Sequence, residues 1–181
     1  LISIINDGPE VFYGNASLVK AHPVPPIFHA LRKSYLNLLL FIHHLPLIFL
    51  LVLIMQPETK IRVLITLPIA IFLIFINSVL YSATIGIISS RFRDVEPTIK
   101  SLMAPMLLLT PVLWKPEMLG EYINYIYLNP FTYFIGIIRN DLIGIEFDAY
   151  IWYGAFFITL AQLVLFMIIY SSKRNRIVFW V

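Results

Sequence analysis

Cysteine is absent from these 181 residues, which excludes disulfides, thiolate metal sites and cysteine nucleophiles together. Charge is nearly as scarce. Asp, Glu, Lys and Arg make up 13% of the chain, against about 25% in soluble domains. A soluble fold would have to cover its surface with polar groups this sequence does not possess. The seven glycines are scattered, and no G-x-x-x-x-G-K-[ST] loop cradles a nucleotide. ATP hydrolysis, if the protein uses it, therefore belongs to another chain. No paired carboxylates, activated nucleophile or metal-ligand cluster falls within an apolar stretch, which speaks against an intramembrane enzyme. No cofactor or metal is expected on this chain, and no nucleic acid among its partners.

What the sequence has in abundance is apolar length: 60% of residues are hydrophobic and the mean hydropathy is +0.86. The expected fold is an all-α integral membrane protein, a polytopic helical bundle. A spanning helix needs about 20 apolar residues, since each rises about 1.5 Å through a hydrocarbon core roughly 30 Å thick. Four stretches are candidates: 35–55 with Pro46, 63–88 with Pro68, 99–114 with Pro105 and Pro111, and 150–170. The third is short enough to be kinked or only partly spanning. Residues 1–5 form an apolar run stopped by Asn6-Asp7-Gly8-Pro9, without the flanks of a signal peptide; with Leu1 in place of methionine, they read as the tail of a span that is missing.

Orientation follows from lysine and arginine, which cytoplasmic loops retain. Lys20, Arg32, Lys33, Arg91, Arg93, Lys100, Lys173, Arg174 and Arg176 fall on one side of these spans, and Lys60, Arg62, Lys115 and Arg139 on the other. Residues 6–33 and the tail 171–181 are then cytoplasmic, and 115–149 lies outside. Segment 115–149 also gathers Glu117, Glu121, Asp141, Glu146 and Asp148. Within it, Asn129-Pro130 predicts an N-cap and first helical residue, with Gly144 as the C-terminal stop. From Pro116, the spacing of Leu119, Tyr122, Ile123 and Ile126 predicts a preceding short amphipathic helix at the membrane surface. On the cytoplasmic side, Pro9 can start a short helix and Gly14-Asn15 can break it.

Several groups stand out chemically. His43 and His44 are ionisable groups in an apolar stretch, but adjacent helical residues point about 100° apart and cannot chelate one ion. Asn77, Tyr81 and Thr84, flanked by Ser78 and Ser82, put a polar stripe on the second span; it either lines a wet path or bonds a neighbouring helix. Trp114, Tyr122, Tyr125, Tyr127, Phe131, Tyr133 and Phe134 cluster near the outer end. They form either an interfacial belt or a surface on which the apolar faces of sugar rings stack. Arg91-Phe92-Arg93-Asp94 closes an inner helix end as a positive anchor or a partner contact.

Four phrases in order carry a family resemblance: Pro9-Glu10-Val11-Phe12-Tyr13-Gly14-Asn15-Ala16-Ser17-Leu18-Val19-Lys20, then Arg91-Phe92-Arg93-Asp94, then Leu109-Thr110-Pro111-Val112-Leu113-Trp114, and finally Leu128-Asn129-Pro130-Phe131 leading to Ile138-Arg139-Asn140-Asp141-Leu142-Ile143-Gly144. In this pattern, which runs through essentially the whole chain, the protein resembles the permeases of ABC-2 type polysaccharide exporters, those of O-antigen, capsule and teichoic acid. The resemblance implies a single permease domain over 1–181 with about four of six spans present, in a bacterial inner membrane. Two copies would work with two ATP-binding subunits, which hold ATP and Mg, to move a lipid-linked glycan outward. Glu10, Val11, Phe12, Tyr13 and Asn15, with Arg91, Arg93 and Asp94, then correspond to the ATPase-coupling surface. Asn77, Tyr81, Thr84, Trp114, Tyr122 and Tyr125 become candidates for the glycan path, and Asn129, Pro130 and Arg139 for the outer gate helices. His43-His44 has no counterpart in the family pattern and takes no role from it. A permease for drugs or other lipids, and a membrane assembly subunit that transports nothing, are the alternatives.

Overall fold

The structure, a computed structural model, describes residues 2–21, 24–55, 63–112, 114, 116–143 and 148–181. Expectations placed on Leu1, Lys60, Arg62, Leu113, Lys115, Gly144 and Glu146 lie outside the described residues. Eight α-helices are present among those described: α1 (Ile2–Asp7), α2 (Ala16–Ala21), α3 (Ile27–Met55), α4 (Val63–Arg91), α5 (Val95–Leu109), α6 (Pro130–Leu142), α7 (Ala149–Lys173) and α8 (Ile177–Trp180). Shorter 3-10 turns, Gly8–Glu10, Tyr13–Asn15 and Arg174–Arg176, and a longer 3-10 segment, Pro116–Leu128, complete the described secondary structure. No strand occurs among the described residues.

Helix α4 is the centre of the bundle, touching α1, α3, α6, α7 and α8. Its sequence explains why: Ala70, Ser78, Ser82, Ala83, Gly86, Ser89 and Ser90 are small and buried, and small side chains let membrane helices approach closely. The matching seam on α7 is Ile151, Ala155, Thr159, Gln162 and Phe166, all buried. These recur every three to four residues and so lie on one helical face. Three apolar clusters follow α4 from end to end. Near its start, Ala70 packs with Tyr133, Phe134 and Ile137 of α6 and Ile151 and Ala155 of α7. Leu80 and Ala83 meet Ala30 of α3 and Phe166 of α7, and at its far end Ile87 meets Val11, Phe12 and Ile177.

Among the described residues, three helices are long and apolar enough to cross a membrane: Ile27–Leu50, Val63–Arg91 and Ala149–Lys173. The first starts well before residue 35, because Pro25 and Pro26 supply its opening carbonyls to Phe28 and His29. The third candidate stretch is short, as its sequence leads one to expect, and starts earlier than residue 99. It forms α5, 15 residues long, about 22 Å at 1.5 Å per residue, short of a hydrocarbon core of roughly 30 Å. Pro111 sets its limit by driving the preceding residue out of the helical region, and Thr110 is extended at φ −90°, ψ 133°. Pro105 lies inside the helix without ending it.

Candidate functional site

At one end of the bundle, residues 8–15 are folded onto α4. Val11 and Phe12 point inward and are buried. They occupy the space over Gly86, where an added Cβ would lie 2.7 Å from Val11 Cγ1 and 2.8 Å from Phe12 Cε2. The polar residues of the same segment turn toward α5. Tyr13 donates its hydroxyl proton to Glu96, and Lys100 Nζ donates to both Glu10 Oε1 and Glu96 Oε1 at 2.7 Å. The Lys100 ammonium beside Glu10 holds that carboxyl below its ordinary value. Arg93 lies 4.0 Å from the centre of the Tyr13 ring, a cation over an aromatic face. Arg91 stands between Phe92 and Trp180, Lys33 pairs with Asp7 at 3.0 Å, and Asn15 Nδ2 donates to the Val11 carbonyl. Asp94 begins α5 without a side-chain capping bond.

At the opposite end, Asn129 caps α6 in the way its pairing with Pro130 leads one to expect: its side chain accepts from the Phe131 amide at 3.0 Å, satisfying a donor the helix leaves open. Its Nδ2 donates to Thr110 Oγ1 at 2.8 Å. Arg139, one turn before the end of α6, donates to the Pro111 carbonyl at 2.9 Å. The end of α5 is thus tied to α6 twice. Tyr127, Tyr133 and Tyr150 form a ring cluster with centroids 5.3 to 6.1 Å apart. Burial, with the Tyr150 hydroxyl close by, pushes Tyr133 up to about 12. Trp114 donates its indole N–H to the Leu108 carbonyl.

The short helix expected from Pro116 is present over Pro116–Leu128 as a 3-10 helix, broken at Gly120, whose φ of 53° suits glycine. In a 3-10 helix residues i and i+3 eclipse, which splits the expected apolar face. Ile126 turns inward while Tyr122 and Tyr125, each 66% exposed, and Leu128 form an outward stripe. The two tyrosine rings lie 6.1 Å apart.

Between the two ends the polar stripe of α4 is largely turned to α7. Asn77 Nδ2 donates to Thr159 Oγ1 at 2.6 Å, and Gln162 Nε2 donates to Thr84 Oγ1 at 3.3 Å. Asn77 and Thr84 are both buried, and Tyr81 is half-buried. A mostly apolar cavity of about 870 Å³ runs along α1, α3, α4 and α6, with Ser34, His44, Ser78 and Arg139 among its few polar lining residues. His44 Nδ1 lies 2.5 Å from the Leu40 carbonyl. His43 meets the His44 ring edge-on. Among the described residues no three His, Asp or Glu side chains converge as a metal site.

The sequence model of the family described as ABC-2 type transporter matches residues 36–143, more than half the chain, from the first apolar helix through α5 and α6. The chain belongs to the ABC-2 type transporter family. No curated protein matches it. As an ABC-2 membrane domain it is a component of a multi-pass transporter, and the family implies an ATP-binding cassette partner. The segment 8–15 precedes the ABC-2 match, so its reading rests on the first of the four phrases and on its position beside α5. No local pattern marks Glu96, Thr159 or Gln162. The last has only its chemistry as a signal, an amide in an otherwise apolar span; the others become visible only when α5 and α7 are packed.

Proposed function

We propose that this ABC-2 domain is the membrane subunit of an ATP-driven exporter that moves a lipid-linked polysaccharide out of the bacterial cytoplasm, working as two copies with two ATP-binding subunits. The basic end of the bundle, with Arg91, Arg93 and Lys173, is the cytoplasmic end, by the retention of lysine and arginine inside. Glu10, Tyr13, Asn15 and Arg93 face the ATPase there, while Val11 and Phe12 hold the segment on α4. The gate belongs to the opposite end, at Asn129, Pro130 and Arg139.

The observation that carries the glycan reading is the outward stripe of Tyr122 and Tyr125 beside the cluster of Tyr127, Tyr133 and Tyr150. Flat aromatic faces suit the apolar side of sugar rings, and shallow contacts suit a polymer that must keep moving. Asn77 and Thr84 serve the bundle by joining α4 to α7, which leaves Trp114, Tyr122 and Tyr125 as the foremost path residues. A second reading, export of a drug or another lipid, is favoured by the apolar character of the cavity along α3 and α4.

Vesicles carrying the full transporter separate the two readings. ATP-dependent movement of a lipid-linked glycan, reduced when Tyr122→Ala and Tyr125→Ala are combined by about tenfold, the order that loss of two stacking contacts of 1 to 2 kcal/mol in all would give, is the expected result. Movement of small hydrophobic compounds alone would overturn the glycan assignment.

A further inference from the structure

Helix α5 is fastened at its two ends by polar bonds and packs between them mainly against α1. None of its residues from Val95 to Leu109 is buried, whereas α4 and α7 each bury a continuous seam. Its first turns are gripped through Glu96 and Lys100, which meet Tyr13 and Glu10 of the segment 8–15. Just past its last turn, Thr110 accepts from Asn129 and the Pro111 carbonyl accepts from Arg139.

Apolar packing lets a helix slide, because any methyl contact can be replaced by the next. A charge-assisted hydrogen bond does not slide, since it is short, directional and tied to one pair of atoms. The two sets of polar bonds, from Glu96 and Lys100 at one end to Thr110 and Pro111 at the other, are separated by about 15 to 21 Å and fix the register of α5 at both ends. We propose that α5 is a coupling strut that carries displacement of the segment 8–15 to the outer helix α6. This proposal rests on the exporter reading, in which 8–15 meets the ATPase and α6 belongs to the gate. It gives Lys100 and Glu96 the role of positioning residues and makes Arg139 and Asn129 the receiving end. The helix runs as one piece from Val95 to Leu109, with Thr110 donating its amide to the Met106 carbonyl at its end; Pro105 removes a single backbone bond, the one to the Ser101 carbonyl.

These 181 residues hold no cysteine, so a pair of spin labels can be placed within them, any cysteines of the rest of the chain and of the partner being replaced beforehand. Val112→Cys, next to the outer grip, and Tyr153→Cys, exposed on α7, report the position of the end of α5 against a spanning helix. The full-length chain with its ATP-binding partner, in lipid, is measured with and without ATP. The strut predicts a change in label separation on ATP addition that Lys100→Ala abolishes. Transport per ATP then falls by about tenfold, within the range of ordinary coupling free energies, while the partner goes on hydrolysing ATP. The exchange Glu10→Lys with Lys100→Glu keeps opposite charges between segment and helix and restores the response. An ATP-driven change that survives in Lys100→Ala, or no change in the unsubstituted chain while ATP is hydrolysed, overturns the strut and leaves the exporter reading standing. Failure of any ATP-binding partner to associate overturns both.

Discussion

Gly86 and Lys100 show how individual residues hold the cytoplasmic end together, one by what it lacks and the other by what it reaches. The absence of a side chain at Gly86 admits Val11 and Phe12, and Gly86→Ala forces those buried groups to shift. Overpacking of this kind costs about 1 to 3 kcal/mol, so the variant is expected to unfold at lower temperature and to expose residues 8–15 to protease sooner. Unchanged melting and unchanged cleavage would show that the segment is held by other means. Lys100 was visible in the sequence only as a positive charge counted for orientation. Its partners lie 90 residues away at Glu10 and one turn away at Glu96, and no local pattern announces a contact across that separation. Asn129 is the opposite case: capping is a local interaction, so Asn129-Pro130 could be read directly, whereas its second bond, to Thr110, depends on tertiary packing.

At the scale of elements, the helices were legible where one force dominates. Apolar length alone specifies α3, α4 and α7, and the chemistry of proline and an Asn cap specifies α6. The short helix expected from Pro116 onward is present over Pro116–Leu128, in 3-10 form and broken at Gly120; spacing alone does not decide the helix type, because the apolar residues satisfy a 3.6-residue period almost as well as a 3.0-residue one. The polar stripe of α4 posed a similar ambiguity, since bonding to a helix and lining a path use the same residue types; in the bundle Asn77 bonds Thr159 and Thr84 accepts from Gln162, both of α7. A cycle of Asn77→Leu, Thr159→Val and the double variant, read by unfolding in detergent, is expected to give a coupling of about 0.6 kcal/mol, the average for hydrogen bonds between membrane helices. Zero coupling would mean that the Asn77 side chain is satisfied elsewhere.

At the scale of the whole molecule, the chain joins a small group of charged contacts at one end to an aromatic, capped helix at the other through a bundle centred on α4. Membership of the ABC-2 type transporter family places that arrangement in a transporter's membrane domain and implies an ATP-binding cassette partner. The most direct test is to purify the full-length protein from membranes in mild detergent and assay what accompanies it for ATP hydrolysis. The account predicts a P-loop ATPase in equal amount whose activity changes when residues 10–20 are altered. Purification without any ATPase, from membranes where its gene neighbours are expressed, would contradict it.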